Sequence, residues 1–393
     1  AGEIEGFARL YAESSPAVLR AGWGMERNRN GGSAIAAAIA LPAVAGKFGV
    51  RGGGYTMSNS GAWTVDQVAA AAAPEAATRI VNMNRLGRTL LEEKDPPVDL
   101  LFVYNCNPLA TLPQQELVRR GLLREDLFTV VFDQVMTDTA RYADLVLPAT
   151  TFLEHDELVK GYGAMVMQRN RPAVAAAGEA RPNYAVFAEL CRRLGLARPG
   201  EPETPAELEE ALLSARMRAN LDRDGIAHPD TGPAPIQFLD SFPRTADRKV
   251  HLVPEDLDRE APFGLYAFQE EPAGPGAQFP LALLSPATSR TISSTFGELV
   301  RRQVALEIHP DDAARRGIAD GDTVRVWNEL GEVRCLCRLS GDLLPGVVVL
   351  PKGLWSHNTL SGSTGNALVP DSYTDLGGGA CFNDARVEVE KVS

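Results

Sequence analysis

Residues 98–148 read VDLLFVYNCNPLATLPQQELVRRGLLREDLFTVVFDQVMTDTARYADLVLP. Three short apolar runs lie in this stretch, at Val98–Tyr104, Leu127–Phe132 and Tyr142–Leu147. A segment with helical character over Pro113–Gly121 separates the first two runs. Continuous apolar runs of this length are typical of parallel strands covered on both faces. The stretch therefore predicts a βαβ unit in an α/β domain, with an open, mostly parallel sheet and flanking helices.

Polar side chains follow each of the three predicted strands. The carboxyl ends of parallel strands meet at one edge of a sheet, where open α/β sheets bind their ligands. Hydroxyls, amides and a carboxylate at this edge can hydrogen-bond to ribose and to base edges, although the same residue types also cap helices and turns. The side chains are Asn105 and Asn107 after the first strand, those of Asp133 to Thr139 after the second, and Thr150 and Thr151 after the third.

A glycine-rich loop precedes this region. The predicted strand Val18–Arg20 leads into the loop Gly22–Gly32, and an alanine-rich helix follows. A loop of this kind leaves backbone N–H groups and a helix N-terminus free to hold phosphate, and Arg27 and Arg29 add positive charge. The loop departs from the GxGxxG pattern of dinucleotide-binding proteins at Arg27, so it is a weak signal by itself.

The composition limits the classes of protein to consider. The chain has 393 residues, of which 45% are hydrophobic, and a formal net charge of −12. This length predicts two domains, and the acidic charge argues against binding to nucleic acid or to acidic membranes. No apolar run is long enough to span a membrane. The 5 cysteines show no regular spacing, which favours reduced thiols and a cytoplasmic location.

The predicted secondary structure changes at the Pro- and Gly-rich stretch Arg259–Gln278. Strands and helices alternate before this stretch, and short strands follow it. We therefore expect an α/β domain over residues 1–270 and a second domain over residues 279–393. Short strands between Gly and Asp turns predict a six-stranded, barrel-like second domain. Its strand signals are Pro280–Ser285, Thr323–Trp327, Val333–Leu339, Val347–Leu350 and Arg386–Val389.

Strong metal-binding motifs such as CxxC and HExxH do not occur in the sequence. Cys335 and Cys337 alternate in a strand pattern, and we expect them to lie in the core. His155 follows Glu154 in a predicted loop, where a solvated or capping role is expected. The sequence therefore assigns no metal ligand.

Four sequence motifs resemble the molybdopterin oxidoreductases of the dimethyl sulfoxide reductase family, and the resemblance covers essentially the whole chain. The motifs are the Gly22–Gly32 loop, VYNCNP at 103–108, FDQVMTDTARYADLVLP at 132–148, and IHPDDA at 308–313 with GIADGD at 317–322. The resemblance implies a bis(molybdopterin guanine dinucleotide) cofactor carrying molybdenum or tungsten.

The resemblance also assigns roles to residues of this chain. The glycine loop would meet a pterin or a phosphate, the strand ends would bind a guanine nucleotide, and the C-terminal loops would close over the pterins. The implied residues are Gly22, Gly24, Arg27, Asn30 and Gly31; Asn105, Asn107 and Thr111; Asp133, Gln134, Thr137, Thr139 and Asp144; and Ser285, Thr288, Ser293, Ser294, Asn366, Phe382 and Asn383.

Relatives in this family carry a cysteine cluster and a metal-ligating residue that have no counterpart here. The chain begins Ala1-Gly2-Glu3, and we expect it to start after those elements, so that a [4Fe-4S] cluster belongs only to a missing N-terminal part. The catalytic residues are therefore unknown.

The expected function is the cofactor-binding portion of an oxidoreductase. It would transfer two electrons, often with an oxygen atom, to or from a small-molecule substrate, with an electron-transfer subunit or carrier as its partner. Two alternatives remain open: a non-redox hydratase or transhydroxylase with the same cofactor, and a non-catalytic structural paralogue in a redox complex.

Overall fold

Helices and short strands alternate through the first part of the chain, and strands dominate its last part. The computed structural model describes residues 1–63, 78–269, 278–290, 292–300 and 302–392. The helices are α1 (Gly2–Glu13), α2 (Gly31–Val44), α3 (Leu86–Glu92), α4 (Pro108–Thr111), α5 (Gln115–Leu122), α6 (Asn183–Arg193), α7 (Pro205–Leu212), α8 (Ala215–Asp224), α9 (Glu255–Glu260) and α10 (Pro310–Ala314). None of these helices is long and apolar enough to cross a membrane.

The strands are short, and most of them belong to small sheets. They are β1 (Val18–Arg20), β2 (Gly54–Thr56), β3 (Leu100–Tyr104), β4 (Phe128–Asp133), β5 (Leu145–Pro148), β6 (Glu157–Lys160), β7 (Met167–Asn170), β8 (Ile226–Ala227), β9 (Leu281–Leu284), β10 (Ala305–Ile308), β11 (Thr323–Asn328), β12 (Gly331–Leu339), β13 (Val347–Val349) and β14 (Arg386–Lys391). The chain folds into two units, each built from separate segments. The first unit comprises Ala1–Trp23, Ala36–Thr78 and Pro148–Pro254, and the second comprises Gly24–Ile35, Arg79–Leu147 and Glu255–Ser393.

The first unit contains two small sheets. β1 and β2 are parallel, which confirms the predicted strand before the glycine loop. β6, β7 and β8 form an antiparallel sheet whose apolar residues pack with α8. The core of this part consists of Trp63, Met167, Leu213, Met217, Leu221 and Ala227.

The sheet of the second unit confirms the predicted βαβ unit. β3 and β4 are parallel, α5 lies between them in sequence, and β5 follows β4 in the sheet order. The prediction that all three strands are covered on both faces is wrong for β3 and β5. Val131 in β4 is fully buried, but Leu100 and Leu145 are 59% and 44% exposed. β4 is buried because it lies between the other two strands.

The C-terminal strands form a closed barrel, as predicted, in the order β10-β12-β11-β14-β9-β13. β9 and β13 are parallel, and the antiparallel pairing of β10 with β13 closes the barrel. Cys335 and Cys337 lie in its apolar core, as expected, where burial raises the pKa of Cys335 to about 12 and that of Cys337 to about 11. These thiols therefore stay protonated near neutral pH.

The sixth barrel strand, β10, was not located from the sequence pattern, because it is short and runs directly into α10. The other five strands lie within one or two residues of their predicted positions. The proposed division between residues 270 and 279 falls mainly on residues 270–277, which lie outside the described residues, so it stays a prediction.

Candidate functional site

The carboxyl ends of β3 and β4 lie side by side, as the sequence predicted. The backbone N–H of Asn105 donates to the carbonyl oxygen of Phe132 over 3.3 Å. Asn105 has a φ of 51°, in the left-handed region, and its side chain is exposed. Gln134 at the end of the neighbouring strand is exposed as well. These two amides face outward at a shared edge of the sheet.

Behind this edge, Asn107 and Thr139 join the two loops. Asn107 Oδ1 accepts hydrogen bonds from the Thr139 N–H and hydroxyl over 3.2 and 2.7 Å. The same hydroxyl accepts from the N–H of Leu109, and Thr139 is 0% exposed. The Thr139 hydroxyl is therefore engaged inside the protein, and a nucleotide contact at Thr139 stays a prediction. Asn107 Nδ2 is buried and has no hydrogen-bond partner among the described residues.

Thr111, Thr137 and Asn366 also make internal hydrogen bonds. The Thr111 hydroxyl donates to the carbonyl oxygen of Asn107, and the Thr137 hydroxyl accepts from the N–H of Ala140. Asn366 Nδ2 donates to the carbonyl oxygen of Ala110 over 2.8 Å. Asn366 thereby joins a barrel loop to α4, and a ligand contact at these three residues stays a prediction.

Asp133 ends β4 as a partly buried carboxylate. Its Oδ1 accepts from the N–H of Gln134, and no described cation forms an ion pair with it. Burial, and after it the negative charge of Glu298, raise the pKa of the Asp133 carboxyl. Cys106 lies close enough for Asp133 to raise its thiol pKa, although burial is the larger cause there. Asp133 is therefore an acceptor whose charge favours a ligand with N–H donors.

Asp144 lies away from this edge, and its contact with a nucleotide stays a prediction. Its Oδ2 accepts from the N–H of Thr129 over 2.6 Å, and Thr129 lies near the start of β4. Asp144 itself directly precedes β5. Both positions are at the amino ends of the strands, opposite the end that carries Asp133, so Asp144 anchors β5 to β4.

The glycine loop has the predicted order of strand, loop and helix, but the N-terminus of α2 is not free. The backbone N–H groups of Gly32 and Ser33 donate to the Asp375 carboxylate over 2.8 and 3.0 Å. Arg29 forms an ion pair with Asp384 at 3.0 Å. Two carboxylates of the C-terminal loop therefore already pair with this helix end and with Arg29, and a phosphate contact at the glycine loop stays a prediction.

Other residues of the same C-terminal loop hold the preceding turn. Asn383 donates from its backbone N–H to the carbonyl oxygen of Arg27 over 3.0 Å, and its Nδ2 donates to that of Gly24 over 3.3 Å. The Arg27 guanidinium lies over the Phe382 ring, 5.5 Å from its centroid. The structure thus brings together residues that the sequence predicted separately for one site.

Three glycines of this loop, Gly22, Gly24 and Gly31, were predicted to contact the ligand. Of these three, only Gly31 lies where the Cβ of another residue would clash. A Cβ on Gly31 would lie 2.5 Å from Glu26 Cα, whereas Gly22 and Gly24 have no atom within 4 Å of such a position. Gly22 lies in the first unit. Asn30 Nδ2 donates to the carbonyl oxygen of Gln269 over 3.4 Å.

The loop after β9 contains the predicted hydroxyl residues. Ser285 is 5% exposed, and its Oγ has no hydrogen-bond partner in the described part of the chain. The carbonyl oxygen of Ser294 accepts from Trp355 Nε1 over 2.9 Å. Ser293 is exposed with a φ of 52°, and Thr288 Oγ1 accepts from the N–H of Arg290.

Sequence reasoning missed Lys352, which follows β13 beside the Ser285 loop. Its backbone N–H donates to the carbonyl oxygen of Pro286 over 3.1 Å, and its side chain is half-buried. The signal was a lysine placed two residues after the apolar run Val347–Leu350. Sequence reasoning also missed Asp375, because nothing in sequence links it to a helix that begins more than 300 residues earlier.

Thr150 and Thr151, predicted for the same edge, have local partners in the first unit. The Thr150 hydroxyl lies 2.9 Å from His155 Nδ1, and the Thr151 hydroxyl donates to Glu154 Oε2 over 3.0 Å. Two backbone N–H groups, those of Thr151 and Ala177, are the leading causes that lower the pKa of Glu154. These residues therefore stabilise a turn.

No cluster of three or more His, Cys, Asp or Glu side chains able to hold a metal ion occurs within the described ranges. The polar groups described above are amides, hydroxyls, single carboxylates and cations, which suit an organic, anionic ligand better than a bare metal ion.

Comparisons with known proteins identify a family. Residues 7–193 match the family described as "Molybdopterin oxidoreductase", and residues 286–386 match "Molydopterin dinucleotide binding domain". The chain is 34% identical to "Probable oxidoreductase YoaE" of Bacillus subtilis (strain 168), over 99% of this chain and 59% of that protein. It is 27% identical to a dimethyl sulfoxide/trimethylamine N-oxide reductase of Rhodobacter capsulatus, over 99% and 56% of the two chains.

Among solved structures, the acetylene hydratase from Pelobacter acetylenicus has the same fold, with a TM-score of 0.76. The structural match covers 100% of this chain and 63% of the hydratase chain, at 19% sequence identity. The chain therefore spans less than two thirds of the length of these similar proteins.

Proposed function

Since this chain belongs to the molybdopterin oxidoreductase family, we propose that it is the cofactor-binding portion of an enzyme that uses bis(molybdopterin guanine dinucleotide). Membership of this family supports the proposal of a molybdopterin cofactor and of an oxidoreductase activity. When bound, the cofactor would supply two-electron transfer at a molybdenum or tungsten atom, often together with an oxygen atom. The observation that carries the guanine form is Asp133, a half-buried carboxylate without a cationic partner among the described residues.

The residues present fit such a group. Asn107 Nδ2 and Ser285 Oγ are buried polar atoms without a partner within the described ranges. A buried donor or hydroxyl left without a hydrogen bond costs about 1–3 kcal/mol, so folded proteins keep few of them. A ligand with ribose, phosphate and pterin oxygens would satisfy both atoms, and both belong to the set that the sequence predicted.

Each side chain has a task that follows from its chemistry. Asp133 would accept hydrogen bonds from guanine N–H groups, with the exposed amides of Asn105 and Gln134 beside it. Arg27 would pair with an oxyanion, and its stacking on Phe382 holds the guanidinium in place. The networks of Thr139 and Asn366 would keep the loops rigid while the ligand binds.

Further assignments remain predictions of the sequence. They comprise the small-molecule substrate, the choice of molybdenum or tungsten, an electron-transfer subunit or carrier, a [4Fe-4S] cluster outside this chain and the cytoplasmic location. The likeness to acetylene hydratase reflects fold alone at 19% identity. It therefore gives the hydratase alternative no separate support.

The direct test compares two carboxylates of one sheet. The chain and its variants Asp133→Asn and Asp144→Asn would be produced in cells that make the cofactor, and guanine nucleotide released by acid would be measured per chain. Loss of two charge-assisted hydrogen bonds should lower the affinity of Asp133→Asn by about 100-fold or more. Asp144→Asn should retain the wild-type content, because Asp144 lies at the opposite strand ends. Equal retention by both variants would refute the guanine assignment.

The raised pKa of Asp133 adds a pH dependence to this site. Guanine N–H donors require the ionised carboxylate, so binding should be constant at neutral pH and weaken as the pH falls through that raised pKa. An ordinary aspartate would show the same loss only at lower pH. GDP titrations of the cofactor-free chain across mildly acidic pH measure this, and Asp133→Asn should show no such change.

A further inference from the structure

The first unit contains a groove of about 780 Å³, lined by residues of β6, β7, α6, α7 and α8. All of its lining residues lie between His155 and Asp222, so the groove belongs to this unit alone. Small-molecule sites in proteins commonly measure roughly 300–1,000 Å³. The groove therefore has the size of a ligand site, and none of the residues predicted for the cofactor lines it.

The helix α6 supplies aromatic side chains to this groove. Tyr184 and Phe187 are three residues apart, so their side chains lie on the same face of the helix. They are 37% and 36% exposed, and no residue of α6 is buried. The two rings therefore line the groove without being enclosed in a core, which leaves aromatic surface for a ligand.

Leucine side chains add an aliphatic surface. Leu208 and Leu212 are four residues apart in α7 and share a face, and Leu158 of β6 lines the groove with them. Leu158 and Leu212 also pack against the buried core of the first unit. The core therefore holds this surface in place before any ligand binds.

The arginines of the groove already have carboxylate partners. The ion pairs are Arg169 with Glu209 and Asp222, Arg171 with Asp156, and Arg218 with Glu210. Arg169 is held most closely, because its Nε donates to Glu209 Oε2 over 2.8 Å and its Nη1 donates to Asp222 Oδ1 over 3.0 Å. An anionic ligand would compete with these carboxylates, so the groove does not favour an anion.

Glu157 leaves the groove with an excess of negative charge. Four carboxylates and three guanidinium groups line it, and three of these carboxylates pair with its arginines. The fourth belongs to Glu157, which is exposed and forms no ion pair with a described residue. A free carboxylate and aromatic rings both attract an organic cation.

We propose that this groove binds a small organic cation that carries an aromatic ring and an ammonium group. The ring would pack against Tyr184, Phe187 and the leucines, and the ammonium group would pair with Glu157. This inference goes beyond the proposed function, because it uses none of the residues of that site and does not require the molybdopterin cofactor.

The test titrates the whole chain by calorimetry at neutral pH with naphthylmethylamine, naphthylmethanol and naphthoate. These probes share one ring system and are positive, neutral and negative, respectively. The amine should bind at least about threefold more tightly than the alcohol, and naphthoate should bind most weakly. Absence of binding by the amine, or binding of naphthoate as tight as that of the amine, would overturn the proposal.

Glu157→Gln tests the charge. This variant should bind the amine about threefold to fivefold more weakly and leave the affinity for the alcohol unchanged. Glu179→Gln is the matched control, because Glu179 is an exposed glutamate of the same unit that does not line the groove. Wild-type affinity of Glu157→Gln for the amine would refute the role of this carboxylate.

Two further variants test the place of binding. Phe187→Ala should weaken binding of both the amine and the alcohol by about tenfold, whereas the control Tyr162→Ala removes a 78% exposed ring outside the groove and should not. Ala206→Trp places a large side chain at an exposed lining position of α7 and should block both ligands without removing a core contact. Circular dichroism checks that each variant is folded. Unchanged binding by Ala206→Trp, or by folded Phe187→Ala, would place the ligand elsewhere and overturn the site.

Discussion

Two regions of the second unit carry similar polar residues and use them in opposite ways. In the turn before α2, the Asp375 and Asp384 carboxylates take up the N–H groups and the arginine that resemble a phosphate cradle. At the ends of the strands, Asp133 and Lys352 form no ion pair with a described residue, and Ser285 Oγ has no hydrogen-bond partner there. The polar groups of the first region are paired within the protein, and the second region keeps polar groups without such partners.

This difference teaches that residue type alone does not distinguish a ligand site from a structural joint. Glycine, arginine and a helix N-terminus favour phosphate in general, but here the C-terminal loop supplies the negative charge. The hydrogen-bond partners of each group have to be compared as well, because buried polar atoms are nearly always paired. Four substitutions test whether the two regions differ as described.

The largest effect is expected for Gly353→Ala, which acts on the region without partners. The new Cβ would overlap the carbonyl oxygen of Ser293 in a left-handed backbone, so the chain should lose about 3 kcal/mol or more of unfolding free energy. The control is Gly346→Ala, with a φ of 89° and nothing within 4 Å, which should lose about 1–2 kcal/mol. Urea unfolding measures both, and equal losses would mean that the Ser293 contact does not fix the loop.

Thr139→Val should have the next largest effect, because it breaks a network that is complete without a ligand. The buried N–H of Leu109 loses its acceptor, which costs about 2 kcal/mol of unfolding free energy. Thr111→Val is the control and should cost about 1 kcal/mol or less, because the carbonyl oxygen of Asn107 keeps two backbone donors. A neutral Thr139→Val would show that the network does not hold the loops.

Asp375→Ala should lower the unfolding free energy by about 1–2 kcal/mol, because Gly32 and Ser33 lose their acceptor at the start of α2. Added inorganic phosphate should then stabilise this variant more than the wild type, since the N–H groups become available to an anion. Thermal unfolding with phosphate and with sodium chloride at equal ionic strength measures the difference. If phosphate stabilised both proteins equally, the carboxylate would not occupy the anion position.

Ser285→Ala should have the smallest effect on the cofactor-free chain, below about 0.5 kcal/mol, and it can raise stability slightly. The hydroxyl has no partner in the described protein to lose, unlike that of Thr139. A large loss of stability in urea unfolding would show that Ser285 Oγ has a structural partner after all.

The sequence predicted the architecture well because local patterns determine it. The apolar runs of β3 and β4 and the turns of the barrel lie within a few residues of their predicted positions. It also brought Asn105 and Asp133 to one edge, because parallel strands end on the same side. These conclusions need only local periodicity and a topological rule.

What the sequence patterns missed depends on partners that are distant in sequence. Asp144 lies in the same motif as Asp133, and only the register of β5 places it at the other strand ends. The anion-like role of Asp375 requires a contact between the C-terminal loop and α2. Lys352 lies beside Pro286, which follows β9, and no pattern around the lysine reveals this contact. Sequence patterns gave candidate residues, and tertiary pairing determines which of them already have partners inside the protein.

The strand order of the barrel also has a consequence for its synthesis. β9 is the first barrel strand to leave the ribosome, yet its two neighbours, β13 and β14, are the last two in the chain. The apolar strand Leu281–Leu284 therefore has no strand partner until β13 and β14 have been synthesised. Pairing across such a separation closes slowly and leaves a nascent strand exposed to aggregation. Barrel closure therefore has to follow the synthesis of β13 and β14.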